Sequence, residues 1–256
     1  MDDPRQQPEP LSCGAEVADT PVVLPPYLSG HYRWAYLWRP GIWFFDRLPV
    51  INCIVFGQYR NLVDSTLEQL SAEGDSGETL LIGSAYGDLV PRLAQELSDG
   101  SLTVLDVAPV QTERAGRKLS EVGLREQVDV RLMNAEVLEF AEDSFDSALM
   151  FLLLNEMPPE ARRRALVHAL RVLRPGGQLV VTEYGVLGNE HLLHRIAPLR
   201  WVVTCAEPYL DSLWRDDLAT LVSDCAAVSG KSAELTEATT LFNGFYRVER
   251  FRVDAL

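Results

Sequence analysis

Gly83 and Gly87 bracket a short turn, GSAYG, between an apolar run ending at Ile82 and a helical stretch opening at Asp88. A strand that feeds a Gly-rich turn and then a helix turns backbone N–H groups toward a nucleotide-type ligand. A second apolar run, LTVLDV at 102–107, ends on Asp106 about twenty residues past the turn, where a carboxylate can accept both hydroxyls of a ribose. Other reactive groups fall near the same strand ends. Tyr86 places a bulky phenol inside the turn, able to shape a pocket or to hydrogen-bond a substrate oxygen. Asp88 either caps the following helix, the simpler reading, or acts catalytically. Asn155 and Glu156 follow a fourth apolar run and serve equally well as a base with its partner or as a helix-capping pair before Pro158-Pro159. Tyr59 closes an aromatic segment just ahead of a helix, within reach of substrate or cofactor.

Regular elements must bring these groups together. Apolar runs at 79–82, 102–107, 128–135 and 147–154, and a fifth after Pro175-Gly176-Gly177, alternate with the helical stretches DLVPRLAQEL, VQTERAGRKLSEVG and ARRRALVHALRVL. That alternation predicts an α/β fold with a doubly wound sheet. The Pro-Gly-Gly string is expected as a turn that closes the third helix. The closing run LTEATTLFNGFYRVERFRV reads as two further strands joined by a hairpin at Asn243-Gly244.

Composition sets limits. A chain of 256 residues that is 47% apolar can bury a full core and is not a disordered protein. Its formal charge of −14 argues against a nucleic-acid partner, which rewards clustered Lys and Arg. The densest basic run, Arg162-Arg163-Arg164, reads as a solvated helix face. Cysteines at 13, 53, 205 and 225 show no CxxC pairing, which fits a reducing cytoplasm and no zinc. His191 and His194 share a helical face without nearby carboxylates and are expected to face solvent or a partner.

Three segments divide the chain. Residues 1–26, acidic and rich in Pro and Gln, read as a disordered tail with neither transit-peptide nor signal-peptide character. Residues 27–70 read as an aromatic N-terminal cap or lid, and 71–256 as the ligand-binding domain. From Tyr27 to Tyr59 the lid carries three Trp, and Pro40, Gly41 and Pro49 cut it into pieces too short to span a bilayer. It covers the open edge of the fold, rests on a lipid surface, or does both.

The strings SFD (144–146) and RVLRPGGQLVV (171–181) resemble class I S-adenosylmethionine-dependent methyltransferases, especially the ubiquinone and menaquinone C-methyltransferase branch. The resemblance covers roughly residues 55–255 and implies a Rossmann-like, seven-stranded, mostly parallel sheet with an antiparallel last strand. It also implies S-adenosylmethionine contacts at Gly83, Ser84, Ala85, Gly87, Asp106, Val107, Asn134, Ala135 and Phe151. Asn134 stands where many relatives place an Asp against the adenine amino group, and its amide oxygen can accept the same hydrogen bond. More narrowly, GSAYGD, LDVAPVQTERA, MNAE and NEMP resemble the rhodoquinone-biosynthesis proteins. That resemblance implies replacement of a ring methoxy group of ubiquinone by an amino group, with S-adenosylmethionine as amino donor. It further implies a divalent metal, manganese, for which Asp143, Glu156 and Glu183 are the hard-oxygen candidates. The implied setting is the bacterial cytoplasm, peripherally on the inner membrane, with no inference as to oligomeric state.

The turn departs from the family pattern. Leu81 replaces the usual acid and Ala85 the middle Gly. An ammonium held by a carboxylate stays protonated, so losing that acid lowers the ammonium pKa and frees the amine as a nucleophile. The plainer reading has Leu81 as a core strand residue. Three functions follow: amination of ubiquinone, conventional C- or O-methyl transfer to a quinone precursor or another apolar phenol, and a non-catalytic subunit of a quinone-biosynthesis complex.

Overall fold

The computed structural model describes residues 23–30, 32–72, 77–97, 100–188, 191, 195 and 197–256. The expected disordered tail lies outside them as far as residue 22. Seven strands form one sheet in the order β3-β2-β1-β4-β5-β7-β6. β1 (Glu78–Ile82), β2 (Ser101–Asp106), β3 (Val128–Leu132), β4 (Phe145–Phe151) and β5 (Leu173–Tyr184) run parallel. β7 (Tyr246–Ala255) is antiparallel to β5 and to β6 (Lys231–Leu241). The expected sheet, with its antiparallel last strand, is the one that forms.

β1 sits centrally because it is apolar on both faces. Leu80, Leu81 and Ile82 expose no surface, as a parallel strand covered by helices on both sides requires. α5 (Tyr59–Ser71) packs on β5 and β7 through Leu62, Val63 and Leu70. α6 (Leu89–Glu96) turns Leu89, Val90, Leu93 and Ala94 inward at helical spacing. α7 (Pro109–Glu121) opens with Pro109, whose missing N–H falls among the donors that a helix start leaves free. α8 (Pro159–Val172) precedes β5. The strand order reverses between β1 and β4, so connections leave in opposite directions and a crevice opens at their carboxyl ends.

The Pro-Gly-Gly string is not a free turn. It lies inside β5, where Phe145 pairs with Leu173 and Ser147 with Gln178, leaving residues 174–177 as a bulge. A β-carbon on Gly177 would come within 2.7 Å of the Asp146 carbonyl, and Arg174 pairs with Asp146 at 2.6 Å. The two strings that carried the resemblance thus meet at the amino edge of the sheet, away from the crevice. Two surface assignments also change. Arg162 is fully buried and pairs with Asp216 at 2.8 Å, while its neighbours Arg163 and Arg164 are exposed. His191 is buried against Phe242 and Phe245, at 4.4 and 4.8 Å between ring centroids, rather than facing outward. His194 lies outside the described residues.

The lid is built from α1 (Pro26–Gly30), α2 (Arg33–Tyr36), α3 (Arg39–Phe45) and α4 (Leu48–Ile54). Pro40 and Pro49 occupy the first turns of α3 and α4, so they start these helices rather than break one. No helix among the described residues is long and apolar enough to cross a membrane.

Candidate active site

A cleft of about 1130 Å³, counting its open mouth, lies over the carboxyl ends of β1, β2 and β4. One wall carries Gly83, Ser84, Ala85, Asp106, Val107, Asn134 and Ala135, and the facing wall carries Phe151, Leu152 and Leu153. Asn155, Glu156, Tyr184 and Glu207 close the far end. The lid adds Tyr27, Leu28, Tyr36, Ile51, Val55 and Tyr59. Of the sequence-derived site residues, Gly87, Asp88, Asp143 and Glu183 do not line it.

Gly83 and Gly87 take φ values of +86° and +84°, which the turn requires and which side chains resist. Tyr59 fastens the far side of the turn. Its hydroxyl donates to the Tyr86 carbonyl at 3.0 Å and accepts from the Asp88 and Leu89 N–H groups at 2.8 and 3.1 Å. A β-carbon on Gly87 would collide with that hydroxyl. Tyr59 therefore shapes the turn with its polar end and lines the cleft with its ring. Asp88 holds the N-cap position of α6 without a side-chain cap bond, and its Oδ1 is buried without a partner.

Tyr86 lines the cleft and turns its hydroxyl toward the lid. Its hydroxyl donates to the Ala35 carbonyl and accepts from Gln111 Nε2, at 3.1 Å, while its ring stacks on Tyr36 at 5.3 Å. It shapes the pocket by fastening the lid. Leu81 points into the sheet, in register with Val104 and Leu149, and does not reach the cleft.

Asp106 already works within the protein. Oδ2 accepts from Ser84 N at 3.0 Å and Ser84 Oγ at 2.8 Å, and Oδ1 accepts from Ala108 N at 3.0 Å. An ionised carboxylate offers about four acceptor positions, so one remains and a second opens if the Ser84 hydroxyl swings away. That capacity matches the two hydroxyls of a ribose. Asn134 uses its Oδ1 to accept from Glu136 N at 2.9 Å, forming a local turn that presents the amide to the cleft. Val107, Met133 and Ala135 supply apolar walls beside it. The Asp106 acceptor, the Asn134 amide and these walls fit a ribose and a purine ring.

The far end is acidic and closed. Three lid tyrosines donate to carboxylates of the main domain: Tyr27 to Glu136 at 3.1 Å, Tyr32 to Glu207 at 2.9 Å, and Tyr36 to Glu156. Asn155 Nδ2 also donates to Glu207, at 3.1 Å, leaving its own Oδ1 buried without a partner. Burial and mutual repulsion push the Glu156 carboxyl well above the usual range, and burial raises Glu207 as well. Glu183 accepts from Leu154, Asn155 and Tyr184 N–H groups, yet its burial still pushes it up to about 7. Folded-state values above the unfolded ones mean that the neutral forms favour the fold. Stability from these groups is complete below the ordinary carboxylate pKa and is lost as pH rises toward the raised values, at about 1.4 kcal/mol per unit and group. Glu207→Gln is therefore expected to lose less stability between pH 5 and 8 than the parent chain, measured by urea unfolding at each pH.

Asp143 is not brought to this end. It precedes the seven-residue strand β4 whereas Glu156 follows it, a separation of roughly 20 Å along the strand. Asp143 instead pairs with Lys231 at 2.7 Å. Among the described residues no group of three His, Cys, Asp or Glu is arranged to hold a metal ion.

Sequence reading missed Tyr36 and Glu207 at the far end and Asp46, Gln111, Arg114 and Lys118 around the turn. Asp46 did carry a signal as the only acid between Tyr27 and Tyr59. Glu207 carried none, since it reaches the cleft from the end of the distant helix Ala197–Ala206.

Residues 80–177 match the family model described as methyltransferase domain. The ubiquinone/menaquinone biosynthesis C-methyltransferase UbiE of Roseobacter denitrificans is 32% identical over 116 residues, 44% of this chain and 45% of that protein. The chain spans less than half the length of each of the first three curated relatives it matches. Among solved structures, the [4+2]-cyclase SpnF superposes with a TM-score of 0.57 at 21% identity, covering 77% of this chain and 82% of its own. The N-methyltransferase NodS from Bradyrhizobium japonicum WM9, in complex with S-adenosyl-L-homocysteine, superposes at 0.50 with 18% identity, covering 75% and 86%.

Proposed function

Starting from a class I S-adenosylmethionine-dependent methyltransferase fold, we propose that this chain uses S-adenosylmethionine to modify the ring of a polyprenyl quinone, and that the group donated is the amine. In this reading a ring methoxy group of ubiquinone gives way to an amino group, yielding rhodoquinone. The observation that carries it is the continuity of the cleft, which joins a ribose-competent Asp106 to an apolar lid and to buried carboxylates. When bound, S-adenosylmethionine would supply the amine: its nitrogen would replace the methoxy group, which leaves as methanol, and its Cα–N bond would then break with loss of a Cβ proton, so that the rest of the donor leaves as an unsaturated acid.

The residues support distinct parts of this reaction. Asp106 and the Gly83–Gly87 turn would hold the ribose end, with Asn134 and the wall at Val107 and Ala135 around the adenine. Leu28, Ile51 and Val55 would admit the quinone and its tail. Glu156 and Glu207 would take the proton that the ammonium must lose and return one to the leaving methoxy oxygen, a task suited to carboxyls raised toward neutrality. Leu81 leaves β1 without the carboxylate that would keep the ammonium charged from the start of the turn.

Methyl transfer to a quinone-type ring is the second reading. The matched domain and the name of the UbiE relative support it more directly than they support amine transfer. One assay separates the two: the purified chain, ubiquinone in detergent, with and without Mn²⁺, and S-adenosylmethionine labelled in its amine or its methyl group. Amine label in the lipid product supports amination. Methyl label establishes the second reading, and absence of turnover under all conditions overturns the enzymatic one.

The reading also has the chain working on the cytoplasmic face of the bacterial inner membrane. The lid lines the cleft with one face while Trp34, Trp38, Trp43 and Phe44, each at least half exposed, point outward. Arg47 lies over the Trp43 ring at 3.6 Å, a pairing of aromatic and cation suited to an anionic lipid surface. The double variant Trp38→Ser, Trp43→Ser is expected to reduce liposome flotation about tenfold or more. Unchanged flotation would remove the lid from the membrane.

A further inference from the structure

The polar atoms of the turn are held from outside the cleft. Arg114, on α7 and 2% exposed, donates to the carbonyls of Ser84 and Ala85 and, at 3.1 Å, to Ser84 Oγ. Its other terminal nitrogen pairs with Asp46. Lys118, four residues further along α7, donates to the Gly87 carbonyl and to the same Asp46 oxygen. That oxygen also accepts from Gly87 N at 3.2 Å. Asp46 follows directly on α3. A lid carboxylate and two α7 cations therefore enclose the turn, and the Arg114 guanidinium covers the Tyr86 ring at 4.7 Å.

We propose that Asp46, Arg114 and Lys118 are positioning residues that hold the cofactor turn in its binding shape and make that shape conditional on a docked lid. The proposal rests on the reading of the turn as an S-adenosylmethionine site. Leu81 lies in the core and cannot order the turn from within. A guanidinium supplies a fixed fork of donors, with Nη2 on the turn carbonyls and Nη1 on the Asp46 carboxylate, a planar geometry that a lysine ammonium cannot reproduce. Such a buried cation needs its counter-charge, because removing one partner leaves the other uncompensated. Asp46 supplies it from the lid. When the lid lifts, Arg114 and Lys118 face each other without a carboxylate and the turn loosens. Cofactor binding and lid closure are thereby coupled.

The test uses full-length Asp46→Asn and Arg114→Lys variants, titrated calorimetrically with S-adenosylmethionine and assayed for turnover. Both are expected to bind the cofactor about tenfold more weakly, roughly the cost of re-ordering one turn residue on binding. KM for S-adenosylmethionine should rise with it while kcat at saturation is retained, the pattern of lost ground-state organisation. Amide exchange at 84–88 should quicken in cofactor-free Asp46→Asn with the β-sheet unchanged, a local effect that a purely global loss of stability would not produce. Should Arg114→Lys fail to fold, Asp46→Asn carries the test, since it keeps the side chain's size and an oxygen that can accept from Gly87 N at a position that is partly exposed, at 15%. Parental affinity and parental exchange in folded Asp46→Asn overturn the proposal. Failure of the parent chain itself to bind S-adenosylmethionine overturns instead the cofactor reading beneath it.

Discussion

Tyr59→Phe is expected to lower the thermal midpoint by roughly 5–10 °C. The hydroxyl donates to the Tyr86 carbonyl and accepts from two N–H groups at the start of α6. Phenylalanine keeps the ring against Phe151 but strands one acceptor and two donors. Each unsatisfied buried group costs about 1–3 kcal/mol, and partial relief by water brings the total to about 2–3 kcal/mol. Differential scanning calorimetry of the cofactor-free chain reads this directly. The same change should weaken cofactor binding, because the Tyr86–Asp88 backbone would no longer be tied to α5. A midpoint within experimental error of the parent would mean that Gly87 and Arg114 suffice to shape the turn.

Asp106→Ala is expected to weaken S-adenosylmethionine binding by about a hundredfold or more. Two charge-assisted hydrogen bonds to a ribose, at about 1.5–3 kcal/mol each, exceed the 2.7 kcal/mol that a hundredfold represents. The substitution also removes the acceptor of Ser84 N, Ser84 Oγ and Ala108 N, so part of the loss arises in the turn itself. Asp106→Asn separates the two contributions. Its single oxygen can keep only one of the Ser84 and Ala108 N–H groups and its amide nitrogen cannot accept from a ribose hydroxyl, so its melting temperature should fall less than that of Asp106→Ala while its affinity still falls. Isothermal titration checks both variants, and parental affinity in Asp106→Ala would take Asp106 off the ribose.

The legible part of this site was the part carried on consecutive residues. A buried strand, two glycines and a helix start follow one another along the chain, so their chemistry can be seen without knowing what packs on them. Asp106 was readable for the same reason, as an acid at the end of an apolar run. Tyr86 was found but its direction was not, because its partners Ala35 and Gln111 come from α2 and α7. Asp143 looked plausible beside Glu156 only in linear order. A strand lies between them and sends its two ends to opposite edges of the sheet.

Sequence patterning alone determined the alternation of buried strands and amphipathic helices and the acid at the end of β2, since each depends on periodicity or on short-range spacing. Tertiary structure decided what surrounds them. It brought Glu207 beside Asn155, 52 positions away, turned Tyr86 into a lid fastening, and enclosed the cofactor turn between Asp46 of the lid and two cations of α7. None of these contacts lies within one element. Each forms only when the sheet, the helices and the lid have closed on one another, and burial then gives the carboxyls and the guanidinium the electrostatic weight that they lack in the unfolded chain.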